Sequence, residues 1–173
     1  VDLTPNRGDC LGIKGIARET GLLNNLDLKI NQVASVENKI DDVFPVKLAC
    51  PETCPRFVGR IIRNVDLLQP SPLWLKEKLR RSGIRSIDSV VDITNFVMLE
   101  LNQPMHAYDL DRLKGSITVR LSAAGEKLTL LDGSQIELFK GTTLITDESG
   151  PVGMGGIMGG EGTAVRAETR NIF

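Results

Sequence analysis

The run Ser86-Ile87-Asp88-Ser89-Val90-Val91-Asp92-Ile93-Thr94-Asn95-Phe96-Val97-Met98-Leu99-Glu100-Leu101 is followed, past Asn102 and Pro104, by Ile117-Thr118-Val119-Arg120-Leu121. The change of period between the two decides the fold. In the first, Ile87, Val90, Val91, Thr94, Val97, Met98 and Leu101 recur every three or four residues, which predicts a helix over 86–101 stopped by Asn102 and Pro104. In the second, Ile117, Val119 and Leu121 alternate with Thr118, Arg120 and Ser122, the pattern of a strand with one buried face.

Toward the N-terminus, Ser71 as cap and Pro72 as first helical residue open a helix with Leu75 and Leu79 inward and Gly83 at its end. Residues 9–20 predict another, capped by Asp9, with Leu11, Ile16 and Ala17 as its apolar contacts. Residues 46–49 and 57–65 read as strands, and 26–42 as polar surface strand and loop. Toward the C-terminus, Asp132-Gly133 between residues 128–131 and 136–138 is a hairpin signal. Residues 142–146 read as a strand and Gly150-Pro151 as a turn. The expected class is α+β, with helices mainly in the first part and a mixed or antiparallel sheet with hairpins in the second.

A chain of 173 residues suits one domain, or two small lobes sharing a core. Its residues are 41% hydrophobic but only 4% aromatic, so the core must be aliphatic. With 21 basic and 22 acidic residues the net charge is −1, which argues against a general nucleic-acid binder. A module to which its neighbours deliver RNA is still compatible. Cys10, Cys50 and Cys54 are an odd set, read as buried thiols in a reducing cytoplasm. A zinc site would have to recruit Cys10 and His106 without paired spacing, so no metal is expected. No apolar run approaches the ~20 residues of a membrane span. The chain begins at Val1 without Met and stops at Phe173 as an apolar run starts; both ends read as cuts from a longer chain, with truncation at the C-terminal edge.

Three segments carry unusual residue types. Leu3-Thr4-Pro5-Asn6-Arg7-Gly8-Asp9-Cys10 reads as a strand-to-helix connection. In residues 89–109, Asp92, Thr94 and Asn95 are polar within an apolar helix and need partners if buried. His106, the single histidine, is either a structural hydrogen-bonder or, with Asn95 and Gln103, part of a polar cluster able to hold an ester or a water. Seven of the thirteen residues from Gly150 to Gly162 are Gly. No Walker-type Lys-Ser/Thr follows, so a pocket wall of backbone N–H groups fits better than a phosphate loop. Lys76, Lys78, Arg80, Arg81 and Arg85 form a basic patch, read as a solvated helix face or, through Lys78, Arg81 and Arg85, as a phosphate contact.

The runs Leu-Thr-Pro-Asn-Arg-Gly-Asp-Cys, Val-Val-Asp-Ile-Thr-Asn-Phe-Val-Met-Leu-Glu, Gln-Pro-Met-His-Ala-Tyr-Asp and Gly-Gly-Ile-Met-Gly-Gly-Glu, in this order, resemble the B3/B4 region of the β subunit of bacterial phenylalanyl-tRNA synthetase. The similarity covers nearly the whole chain. It implies a cytoplasmic editing site that hydrolyses the ester of Tyr-tRNA(Phe), with tRNA(Phe) and an α subunit as partners in a heterotetramer. An apolar pocket rejects an added hydroxyl by only about 10² in an analogous case, so a second site must discriminate. The resemblance implies Asn95 and His106 as the residues orienting ester or water, and Thr94 and Gly159 as substrate-binding. Gly159 matches a glycine whose backbone N–H faces the tyrosine hydroxyl. It places a hydroxyl-accepting glutamate just beyond Phe173, with Glu161 a weaker candidate. No cofactor is implied for this domain; ATP and Mg2+ serve the parent synthetase elsewhere. The alternative is a non-catalytic structural or tRNA-docking module.

Overall fold

A computed structural model describes residues 2–29 and 32–173. The chain forms two compact units, Val1–Asp41 with Pro70–Met105, and Asp42–Gln69 with His106–Phe173. Helices dominate the first and strands the second, the α+β segregation that the change of period predicts.

The first unit holds α1 (Ile13–Leu23), α2 (Leu73–Arg81) and α3 (Ser89–Leu101). Leu75 and Leu79 of α2 are 2% and 0% exposed, as their spacing requires; burying each contributes roughly 1.5–3 kcal/mol. The helix starts differ from expectation because the expected caps are engaged elsewhere. Asp9 does not cap α1: it lies in a 3₁₀ turn, Gly8–Leu11, where its carboxylate accepts from Arg7 at 3.0 and 3.1 Å. Gly12 is the cap residue instead. Leu11 is exposed rather than packed. Ser71 does not cap α2 either; its hydroxyl donates to Asp92 at 2.5 Å, and Pro72 takes the cap position. The start of α3 moves from Ser86 to Ser89 because Asp88 caps it, accepting from the N–H groups of Val90 and Val91 at 2.9 Å. Asn102 ends α3 in the left-handed conformation at φ 58°, as a stop residue should. Between α1 and the second unit, the described residues of 26–41 form no helix or strand; Ile30 and Asn31, within the predicted surface stretch, lie outside the described residues.

The second unit is built on a sheet of β1 (Val46–Leu48), β2 (Ile117–Leu121), β5 (Thr143–Asp147), β6 (Gly150–Met154) and β7 (Met158–Gly159), in that spatial order. The β1–β2 pair is parallel and the rest are antiparallel. A parallel pair needs a long connection, and here it includes residues 70–105. On β2, Ile117 and Val119 are 0% and 1% exposed while Thr118 and Arg120 are not buried, the one-sided burial that alternation predicts; Leu121, at the strand end, is exposed. β3 (Lys127–Thr129) and β4 (Gln135–Glu137) form the hairpin read from Asp132-Gly133, with Gly133 at φ 82°. Two apolar clusters result, and the first corrects the expected aliphatic core: it includes Tyr108, and Phe44, Phe57 and Phe173 pack against it. One gathers Tyr108, Leu113, Ile117, Val119 and Val152 with Cys50, and the other Leu128, Leu130, Leu138 and Leu144.

Residues 57–65 do not form the predicted strand. They make a single bridge, Ile62 with Ile172, plus a bond from Val65 N–H to the Arg170 carbonyl at 2.8 Å. Gly150-Pro151 is also no turn, since it opens β6. The reversal precedes it, where the Asp147 carboxylate accepts from the backbone and hydroxyl of Ser149 at 2.7 and 2.6 Å.

Candidate functional site

The glycine-rich segment is a hairpin of β6 and β7, reversed at Gly156 with φ 72°. Its glycines answer to different neighbours. Gly153 and Gly159 are cross-strand partners; Gly159 leaves no room for a Cβ, whereas one on Gly153 would make only ordinary contacts. A Cβ on Gly159 would overlap the imidazole of His106, and one on Gly153 would stand 3.5 Å from the Tyr108 hydroxyl. The structure thus brings His106 and Gly159 into direct contact. Gly160, the next residue along, meets Val152 and Leu128 instead.

His106 is held from behind. Its ring meets Tyr108 edge-on, centroids 4.6 Å apart at 75°. Tyr108 is 3% exposed and exchanges backbone hydrogen bonds with Phe173 at 2.9 and 3.0 Å. Asp109 continues the anchor, its N–H donating to the Thr163 carbonyl at 2.9 Å and its carboxylate accepting from the Thr169 hydroxyl at 2.6 Å. The His106 Nε2 is buried and has no hydrogen-bond partner. Burial pushes the imidazole pKa below its ordinary value, favouring the neutral ring. Burial likewise pushes the Tyr108 phenol well above its usual range, so it stays protonated. A neutral imidazole with an unsatisfied nitrogen, set against bare backbone, can bind a hydroxyl, an ester oxygen or a water. Tyr108 and Gly153 are the residues that sequence reasoning passed over, although Tyr108 stands two positions from His106 in the same motif.

The other predicted site residues sort differently. Thr94 and Asn95 lie on α3 in the first unit and are half-buried. The Thr94 hydroxyl donates to the Val91 carbonyl at 2.8 Å, which leaves it only acceptor capacity. Asp92 belongs to the fold. It is 0% exposed and accepts from Ser71, Ser86 and the Ile87 N–H at 2.5, 2.5 and 2.9 Å. Burial alone would raise its pKa, but these bonds outweigh it and hold the carboxyl below its usual value. Gln103 is exposed, with one long bond of 3.4 Å to Pro104. Glu161 is exposed and faces Arg166 at 3.7 Å.

In the basic patch, Lys78 sits over the rings of Phe96 and Trp74 at 5.0 and 5.8 Å, and Arg81 lies 3.8 Å from Glu77. Arg85 is exposed. Asp9, Cys10 and Glu19 bring three metal-type donors within 4.8 Å of one another, but Arg7 already donates to both carboxylates. No helix among the described residues is long and apolar enough to cross a membrane.

A family model described as the B3/4 domain matches residues 53–173, which include His106, Tyr108 and the glycine hairpin. The chain belongs to the B3/4 domain family. It is also similar over its full length to proteins named phenylalanine–tRNA ligase beta subunit. It is 55% identical to that of Hahella chejuensis, 53% to that of Idiomarina loihiensis and 51% to that of Yersinia pestis. This B3/4 chain spans 22% of the length of each of these relatives. Among solved structures, an N-terminal fragment of the phenylalanyl-tRNA synthetase β subunit from Pyrococcus horikoshii superposes with a TM-score of 0.58 at 17% identity. That match covers 96% of this chain and 51% of the other, and shows a shared fold.

Proposed function

We propose that the chain is the editing region of a phenylalanine–tRNA ligase β subunit, and that it hydrolyses the ester of Tyr-tRNA(Phe). The observation that carries this reading is the contact of a neutral, partnerless His106 imidazole with side-chain-free backbone at Gly159. In this reading His106 holds water or the ester carbonyl, and its neutral ring can take the proton that water loses as it attacks. The carbonyl-to-ribose C–O bond breaks, tyrosine leaves, and the proton ends on the ribose oxygen. Orientation at an already activated ester supplies most of the effect, so no covalent intermediate is needed. Asn95 and Thr94 keep the ester-orienting and substrate-binding roles that the resemblance implies. The α subunit, tRNA(Phe), and the ATP and Mg2+ of aminoacylation belong to the complete ligase in the same proposal.

The test is Tyr-tRNA(Phe) deacylation by the complete ligase. Gly159→Ala drives a methyl into the imidazole and should slow deacylation by about 100-fold through misplacement. His106→Ala should do at least as much. Unchanged deacylation in both the His106→Ala and Asn95→Ala ligases would sink the catalytic reading and leave a docking module.

A further inference from the structure

The strongest feature outside the His106 site is an open groove of about 350 Å³ in the second unit, lined by Arg112, Lys127, Thr129, Ser149, Gly160 and Thr163 among others. Gly160 connects it to the hairpin; its Cβ direction points to Val152 and Leu128, whereas that of Gly159 points to His106. The lining includes Gly160 but not Gly159, His106 or Tyr108, so the groove is separate from the imidazole site. Its lining contains two cations, no carboxylate and three hydroxyls, of which that of Ser149 already donates to Asp147.

Three details point to an anionic ligand. First, Thr163 is 5% exposed, yet its hydroxyl has no hydrogen-bond partner. A buried hydroxyl left unpaired destabilises a fold. Second, the Arg112 guanidinium is held only by long contacts, two of them ion pairs. Its hydrogen bond to the Gly162 carbonyl is 3.4 Å long, and its nearest carboxylates, Asp109 and Glu168, stand at 3.7 and 3.9 Å. The Asp109 carboxylate is already held by Thr169 and the Asp111 N–H. Third, Lys127 is exposed and enters no ion pair among the described residues, although Glu137 stands opposite it in the β3–β4 pair.

We propose that this groove binds a phosphate group, with Arg112 and Lys127 supplying charge and the Thr163 hydroxyl a hydrogen bond. A planar guanidinium beside an ammonium and hydroxyl donors is suited to tetrahedral phosphate oxygens. The phosphate can come from an RNA backbone or from free phosphate, and the experiment separates the two. In the complete ligase, tRNA(Phe) binding is titrated between about 50 and 200 mM salt for wild type, Lys127→Gln, Thr163→Val and Thr163→Ser. If the group is an RNA phosphodiester, Lys127→Gln weakens binding severalfold and lowers the log–log salt slope by about 1, equally for non-cognate tRNA. Thr163→Val weakens it too, and Thr163→Ser restores it.

If tRNA binding is unchanged, thermal unfolding with inorganic phosphate, against chloride at matched ionic strength, decides. A phosphate-dependent rise in Tm that is lost in Lys127→Gln and Thr163→Val but kept in Thr163→Ser identifies free phosphate. If neither tRNA binding nor the phosphate effect changes in Lys127→Gln, the proposal is overturned. Lys127 is at the surface, so this variant tests the groove even if Thr163→Val fails to fold.

Discussion

At the residue scale, Gly159 lacks a side chain because the His106 ring occupies the space a Cβ would need. The imidazole is in turn confined between that backbone and Tyr108. The confinement has a consequence for pH. An unfolded histidine titrates near 6.5, and burial lowers the folded value below that. As pH falls the unfolded chain takes up the proton first, so stability is constant above about 6.5 and declines as pH drops through the folded value. His106→Gln is expected to flatten this part of the acid limb when Tm is followed from about pH 7.5 to 5.5. A limb of unchanged slope would show that the ring does not titrate as a buried group. Carboxylates act lower on the scale. Glu126, held by Arg120, is pushed down to about 2 and loses its contribution only as pH falls below the usual carboxylate range toward that value.

At the element scale, α3 is the helix on which the first unit depends, and two acidic residues fix its start. Asp88 caps it; Asp92, one turn on, draws in Ser71 from before α2 and Ser86 from before α3 itself. Asp92→Ala would leave two hydroxyls and one N–H without their acceptor and should cost about 3 kcal/mol in urea unfolding. Asp88→Ala removes a cap and should cost only about 1 kcal/mol. Equal losses would mean that the Asp92 network does not organise the helix start.

The helix itself was legible from its period, and so were α2 and the Asp132-Gly133 hairpin. Its first turn was not. Ser86 and Ser71 resemble helix openers in sequence, but their hydroxyls serve a carboxylate that only folding brings within reach. The pairing of the glycine segment into a hairpin was not legible, because Gly159 answers to the His106 ring, 53 positions away in the chain, and not to a local turn rule.

At the scale of the whole molecule, the balanced charge limits what the chain can do to RNA unaided. With a net charge of −1 and at most a few phosphate contacts, the chain by itself should bind tRNA with a Kd above about 1 µM at physiological salt. Fluorescence anisotropy with labelled tRNA(Phe) checks this, and sub-micromolar affinity would contradict it. Weak binding is compatible with the phosphate groove, since one or two contacts give a modest salt slope. The sequence by itself determined the class of the three helices and of β1 to β5, but not of β6 and β7, and pointed to the B3/4 family through four ordered motifs. It also singled out His106 and Gly159. Tertiary structure alone decided that Asp92 serves the fold, with Ser71 standing 21 residues away in the chain. It alone placed Tyr108 behind His106 and left the Thr163 hydroxyl without a partner. The reason is physical: periodicity and turn chemistry report neighbours along the chain, whereas the partner of a buried polar atom is set by segments that meet only when the chain folds.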